Sequence, residues 1–235
     1  MAILVAGGAG YIGSHTCVEL LERGYEVVVV DNLYNSSEVA LERVQEITGK
    51  TLKFYKGDIL NREDLEPIFE NEEIEAVINF AGLKAVGESV EKPWEYYHNN
   101  ITGTLILCDV MRKHGCKNMI FSSSATVYGD PAEIPITEKC PKGEITNPYG
   151  RTKGMLEQIL TDLHTGDPEW NIMLLRYLTR SGHTNPERLE KIRKESRTIW
   201  CHILHRLQLE NWIVWECLAM TTIHRMEQVS EIISM

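Results

Sequence analysis

A short apolar run, Ile3–Ala6, opens directly into Gly7-Gly8-Ala9-Gly10-Tyr11-Ile12-Gly13 and then into a helix-like stretch, Ser14–Arg23. Gly7, Gly10 and Gly13 form a G-x-x-G-x-x-G turn. A tight turn, a close backbone approach to a pyrophosphate, and a helix packed hard on its strand each favour a residue without a Cβ. The amino terminus of the following helix adds N–H groups and a positive dipole end, which suits a phosphate. Three glycines in a loop are common. Between a first strand and a first helix they have the setting that a dinucleotide site requires.

Strand-like runs recur at Glu26–Val30, Leu52–Tyr55, Ala76–Phe80, Met119–Ser122 and Met173–Arg176. They are short, rich in β-branched residues and nearly continuous in apolar character, as strands buried on both faces are. Helix-like segments lie between them, at Val39–Ile47, Leu65–Asn71, Asn100–Lys113 and Tyr149–His164. This alternation predicts an α/β fold, a doubly wound parallel sheet of Rossmann type with helices on both faces. The first domain is expected to span residues 1–177.

Ligands of such sheets sit beyond the carboxyl ends of the strands, so the strand ends are the candidate site. The second strand ends at Asp31, placed to accept hydrogen bonds from an adenosine ribose. Its charge repels a 2′-phosphate, which favours NAD over NADP. Alone, Asp31 reads equally as a strand-closing aspartate; the glycine turn tips the balance. Asp58-Ile59 follows the third strand and can hold an adenine edge or cap a loop. The fourth strand ends Asn79-Phe80-Ala81-Gly82-Leu83-Lys84, small enough for a cofactor to lie against the backbone. The fifth runs into Ser122-Ser123-Ser124, hydroxyls able to polarise a substrate oxygen. Tyr149 and Lys153 then share one helix face at i and i+4. A tyrosine with a pKa of roughly 10 is a poor base. An ammonium beside it is expected to lower that value and suit it to taking a hydroxyl proton.

The net charge of -10 argues against a nucleic-acid backbone as partner. The six cysteines form no C-x-x-C pair, so neither a zinc site nor a redox motif is indicated. Scattered thiols, no basic and apolar leader, and no run of membrane-spanning length predict a cytoplasmic protein.

Taken in order, these residues resemble the extended short-chain dehydrogenase/reductase family. The runs GGAGYIGSHT, DNLYNS, FAGLKAVGESV, FSSSATVYGD, NPYGRTK and EQILTDL are most similar to its UDP-glucose 4-epimerases. The resemblance covers Met1 to about Tyr177. It implies Tyr149 as base, Lys153 on the nicotinamide ribose, and Ser124 on the sugar hydroxyl. It implies an NAD site lined by Tyr11, Ile12, Asp31, Asn32, Leu33, Tyr34, Asn35, Ser36, Asp58, Ile59, Phe80, Ala81, Gly82, Leu83, Lys84 and Asn99. It implies interconversion of UDP-glucose and UDP-galactose through a 4-keto sugar, and a homodimer through the helices Asn100–Lys113 and Tyr149–His164. Related dehydratases carry an Asp-Glu pair where Ala125-Thr126 follows Ser124, so dehydration ranks lower. A non-catalytic NAD-binding fragment is the other alternative.

The composition changes after Tyr177. All 17 glycines lie at or before Gly182, and no Asp, Phe or Tyr follows Tyr177. Residues 178–235 are therefore expected to form an irregular or helical tail foreign to the fold, with a helix over Lys191–Leu209 and no native domain. Read one base out of frame, Leu178 onward can encode NPVGAHESGAIG and a further stretch resembling an epimerase. Several steps leave no codon choice: Trp200-Cys201 forces valine, Asn211-Trp212 leucine, and Trp212-Ile213 aspartate. Each fits the family pattern. A one-base deletion near the codon for Leu178, in the gene or in its sequencing, accounts for the tail.

Overall fold

The computed structural model describes residues 2–132, 134 and 136–177, and the backbone of 216–219. Six strands come from the first 177 residues: β1 (Ala2–Ala6), β2 (Glu26–Asp31), β3 (Lys53–Lys56), β4 (Ile74–Asn79), β5 (Asn118–Ser124) and β6 (Asn171–Tyr177). They lie in the order β3-β2-β1-β4-β5-β6 and every pairing is parallel. The expected doubly wound sheet is present. The helices are α1 (Tyr11–Glu22), α2 (Val39–Thr48), α3 (Arg62–Asn71), α4 (Val86–Glu91), α5 (Pro93–Tyr97), α6 (Gly103–Lys113) and α7 (Pro148–Gly166). Between α5 and α6, His98–Thr102 winds as a π-helical turn, and Ala125–Tyr128 forms a 3-10 turn after β5.

Alternate residues of each central strand feed opposite faces of the sheet. Leu4, Ala6, Val28, Val30, Val77, Phe121 and Leu174 enter one core with Leu107 and Met111 of α6 and Leu156 and Leu160 of α7. Ile3, Val5, Val27, Val29, Ile78, Ile120 and Leu175 enter the other with Cys17, Leu20 and Leu21 of α1 and Leu41 and Val44 of α2. Each fully buried aliphatic side chain contributes about 1.5–3 kcal/mol. Leu107 is wholly enclosed. Leu107→Ala is expected to lower the unfolding free energy by about 2–5 kcal/mol, read as a lower denaturant midpoint at unchanged slope.

Three expectations need correction. β3 was expected to be buried on both faces, but its residues are exposed or half-buried, because it is the edge strand beside β2. The short helices α4 and α5 have no counterpart in the sequence reading. Six and five residues are too few to establish a helical period, and Pro93 interrupts the run. In the tail, Glu216–Ala219 forms a seventh strand, β7, parallel to β6, where an irregular or helical segment was expected. Without it the edge of β6 would present a row of unpaired backbone groups. The helix expected at Lys191–Leu209 lies outside the described residues.

Candidate active site

The predicted residues gather along the carboxyl edge of the sheet, around β1 and β4, where the strand order reverses. Gly7 adopts φ +76, and a Cβ there would lie 2.7 Å from the Ala81 nitrogen. The turns after β1 and β4 thus pass backbone against backbone. A Cβ on Gly13 would fall 2.7 Å from the Gly8 Cα and against the Gly7 carbonyl. This cradle is the feature that fits a dinucleotide pyrophosphate. Gly10 caps α1 without a side chain, which leaves the helix terminus open to a phosphate. Gly13→Val is expected to weaken NAD binding by about tenfold or more, a cost of roughly 1–3 kcal/mol for overpacking. Equilibrium dialysis against NAD measures it, and unchanged affinity would contradict the assignment.

Asp31 is nearly buried and organises the adjoining loops. Its Oδ2 accepts the Ala9 N–H at 3.0 Å; its Oδ1 accepts the Leu33 N–H at 2.9 Å and the Ser36 hydroxyl at 2.8 Å. Leu33 is held at φ +60, a left-handed conformation uncommon for a branched side chain. Asn32 donates to Asp58 Oδ2 at 2.8 Å, while Asp58 Oδ1 accepts the Leu60 N–H at 2.9 Å. Tyr34 and Asn35 are exposed, as is Tyr11, whose ring meets His15 edge-on; Ile12 is half-buried. Ile59 is buried in the core, where it faces Gly103. After β4, Phe80, Ala81, Gly82 and Leu83 are half-buried and Lys84 is exposed.

The π-helical turn places Asn99 half-buried and Asn100 fully inside. Asn100 Oδ1 accepts the Leu83 N–H at 2.8 Å, and its Nδ2 donates to the Leu83 carbonyl at 3.0 Å and to Thr152 Oγ1 at 3.1 Å. Thr152 Oγ1 donates in turn to the Tyr149 carbonyl at 2.7 Å. Asn100 therefore ties the loop after β4 to the turn of α7 that carries Tyr149. Sequence reasoning named Asn99 and missed Asn100, although two adjacent asparagines within a helical run were a visible signal.

Tyr149, Ser124 and Lys153 converge where β5 meets α7. Ser124 Oγ accepts the Thr126 N–H at 3.2 Å and the Thr126 hydroxyl at 3.0 Å, so its own proton is left to donate. Burial pushes the Tyr149 phenol up from its ordinary value, against the opposing pull of a hydrogen bond with Ser124. Lys153 donates to the Ser122 carbonyl at 2.7 Å; its Nζ lies 4.7 Å from the centroid of Phe121 and 5.9 Å from that of Tyr149. Burial pushes its ammonium down to about 8, against the pull of Glu157. The expected depression of Tyr149 by Lys153 is thus reversed in the protein alone: desolvation of the phenolate outweighs a lysine engaged with a backbone carbonyl. A positive charge over the site would act in the direction the reaction needs.

The model of one family matches residues 3–216, that described as the NAD dependent epimerase/dehydratase family. The chain belongs to this family. Among the members it is similar to, the UDP-glucose 4-epimerase of Bacillus subtilis (strain 168) is 67% identical over 182 residues, 77% of this chain and 53% of that protein. The crystal structure of UDP-glucose 4-epimerase from Bifidobacterium longum, in complex with NAD+ and UDP, superimposes with a TM-score of 0.75. Its identity is 59%, and the match covers 75% of this chain and 53% of that one. The enzyme from Stenotrophomonas maltophila, with bound NAD and formylated UDP-arabinopyranose, gives a TM-score of 0.73 at 38% identity, over 85% of this chain and 62% of that one. The chain spans about half the length of the curated relatives it matches.

Proposed function

We propose that this family member is the NAD-binding portion of a UDP-glucose 4-epimerase, and that the complete protein interconverts UDP-glucose and UDP-galactose. The observation that carries the reading is the meeting of the Ser124 and Tyr149 hydroxyls at the end of β5 with Lys153 alongside. The glycine cradle and Asp31 would hold NAD, which supplies the acceptor for the C4 hydride and returns it to the other face of the sugar. Ser124, its lone pairs engaged by Thr126, donates to the sugar O4 and sets its direction. Tyr149 takes the O4 proton as the carbonyl forms and gives it back after the 4-keto sugar has turned. Lys153 supplies the positive charge that favours the phenolate.

A homodimer belongs to the same reading, supported by the exposed Leu105 of α6 and Met155 of α7. So does a cytoplasmic location: Cys17, Cys108, Cys116 and Cys140 are free thiols, and among the described residues no helix is long and apolar enough to cross a membrane. One observation favours a second reading, an NAD-binding module without turnover: the chain spans about half of its relatives. Orientation of the sugar draws on binding energy from the rest of the nucleotide. The chain as it stands is expected to bind NAD and to convert UDP-galactose slowly or not at all. Dialysis for the cofactor and a coupled assay for UDP-glucose separate the two activities. Absence of NAD binding in a folded chain would sink both readings.

A further inference from the structure

One buried carboxylate lies behind the reacting set and has no part in the chemistry described above. Glu157 follows Lys153 by one turn on α7 and is fully enclosed. Arg176 of β6, also enclosed, grips it with two bonds, Nε to Oε1 at 2.9 Å and Nη2 to Oε2 at 2.8 Å. Ser123, the neighbour of Ser124, donates to Oε1. Lys142, from the loop between β5 and α7, reaches Oε2 at 2.8 Å. Arg176 Nη1 also donates to the Tyr128 hydroxyl at 2.8 Å, at the end of the 3-10 turn that carries Thr126. One carboxylate thus joins the end of β5, the loop beyond it, β6 and the reacting turn of α7.

We propose that Glu157 is a positioning residue, acting through Ser123 and Lys153 to hold the Ser124 hydroxyl and the Lys153 ammonium against Tyr149. Burial pushes its carboxyl up, yet the bonds from Arg176, Lys142 and Ser123 outweigh this and hold it below the usual carboxylate range. It therefore stays charged beside Lys153, for which it is the charge opposing desolvation. Other charged or titratable groups on elements packed against α7 include Tyr149 itself, Arg176, Lys142 and Tyr128. Glu88 and Tyr96 of α4 and α5 bond each other at 2.9 Å; Glu95 and Tyr97 of α5 and His98 of the π turn complete the set. The inference rests on the reading of Ser124, Tyr149 and Lys153 as the reacting set.

The test is the titration of Lys153 in the full chain, by NMR of 15N-labelled lysine assigned with Lys153→Met. In Glu157→Gln the midpoint is expected to fall by about one pH unit from its value near 8. Glu157→Met/Arg176→Met removes both charges together and keeps the volume, a replacement that buried pairs commonly tolerate; the same fall is expected there. A folded variant with an unmoved Lys153 midpoint overturns the proposal. So does loss of native structure in both, which would make the pair an element of stability alone. Epimerase activity does not enter this readout, so a failed turnover assay counts against the proposed function and an unmoved titration against Glu157.

Discussion

Inserting one base ahead of the codon for Leu178 is expected to turn a chain with little or no turnover into an active epimerase. The described residues supply a cofactor cradle and an acid–base set. What the sequence after Tyr177 replaces is the stretch that the out-of-frame reading restores. Much of the rate of a reaction on a nucleotide sugar comes from holding the sugar in one orientation, and that hold is built from binding energy remote from C4. Its loss is expected to cost at least about a thousandfold in kcat/KM. Resequencing the codons for Leu174 to Gly182, and assaying both chains on UDP-galactose, decides the matter. Equal activity of the two chains would contradict the frameshift account.

In the frame-restored protein, Tyr149→Phe is expected to lower kcat by about 100- to 10,000-fold, the usual contribution of a positioned general acid–base, while NAD binding stays intact. The pH behaviour follows from the shifts around it. Lys153, at about 8 in the folded protein and 10.5 in the free side chain, carries its charge below about 8 and loses it above. Its help in ionising Tyr149 is therefore expected to fade above about pH 8. Stability runs the other way. Between about 8 and 10.5 the unfolded chain binds the extra proton, so stability rises with pH through that window for Lys153. Tyr149, whose phenol is raised, opposes this only above the ordinary tyrosine range, where the folded state keeps the proton. Lys153→Met removes the first trend, and denaturant melts from pH 7 to 10 measure it. An identical pH dependence in the variant would show that Lys153 is not the group responsible.

Relatively little of this site needed the third dimension to be found. Gly7 and Gly13, Asp31, the hydroxyls closing β5, and the Tyr149–Lys153 spacing are local patterns. A tight turn, a strand end and one face of a helix are properties of neighbouring residues, so the sequence itself carried them. The order of strand and helix likewise dictated a parallel sheet. Which strand lies at the edge was a different matter: β3 reads as apolar as the others, and only its place beside β2 leaves it half-covered. The partners of buried polar groups were decided in the same way. Asn100 meets Leu83 across 17 residues, and Glu157 meets Arg176 across 19, contacts fixed by helix packing rather than by spacing. The direction in which Tyr149 shifts also belonged to the tertiary structure. The i, i+4 pair placed the two groups together, but burial of the phenol and the turn of Lys153 towards the Ser122 carbonyl determined which electrostatic effect prevails.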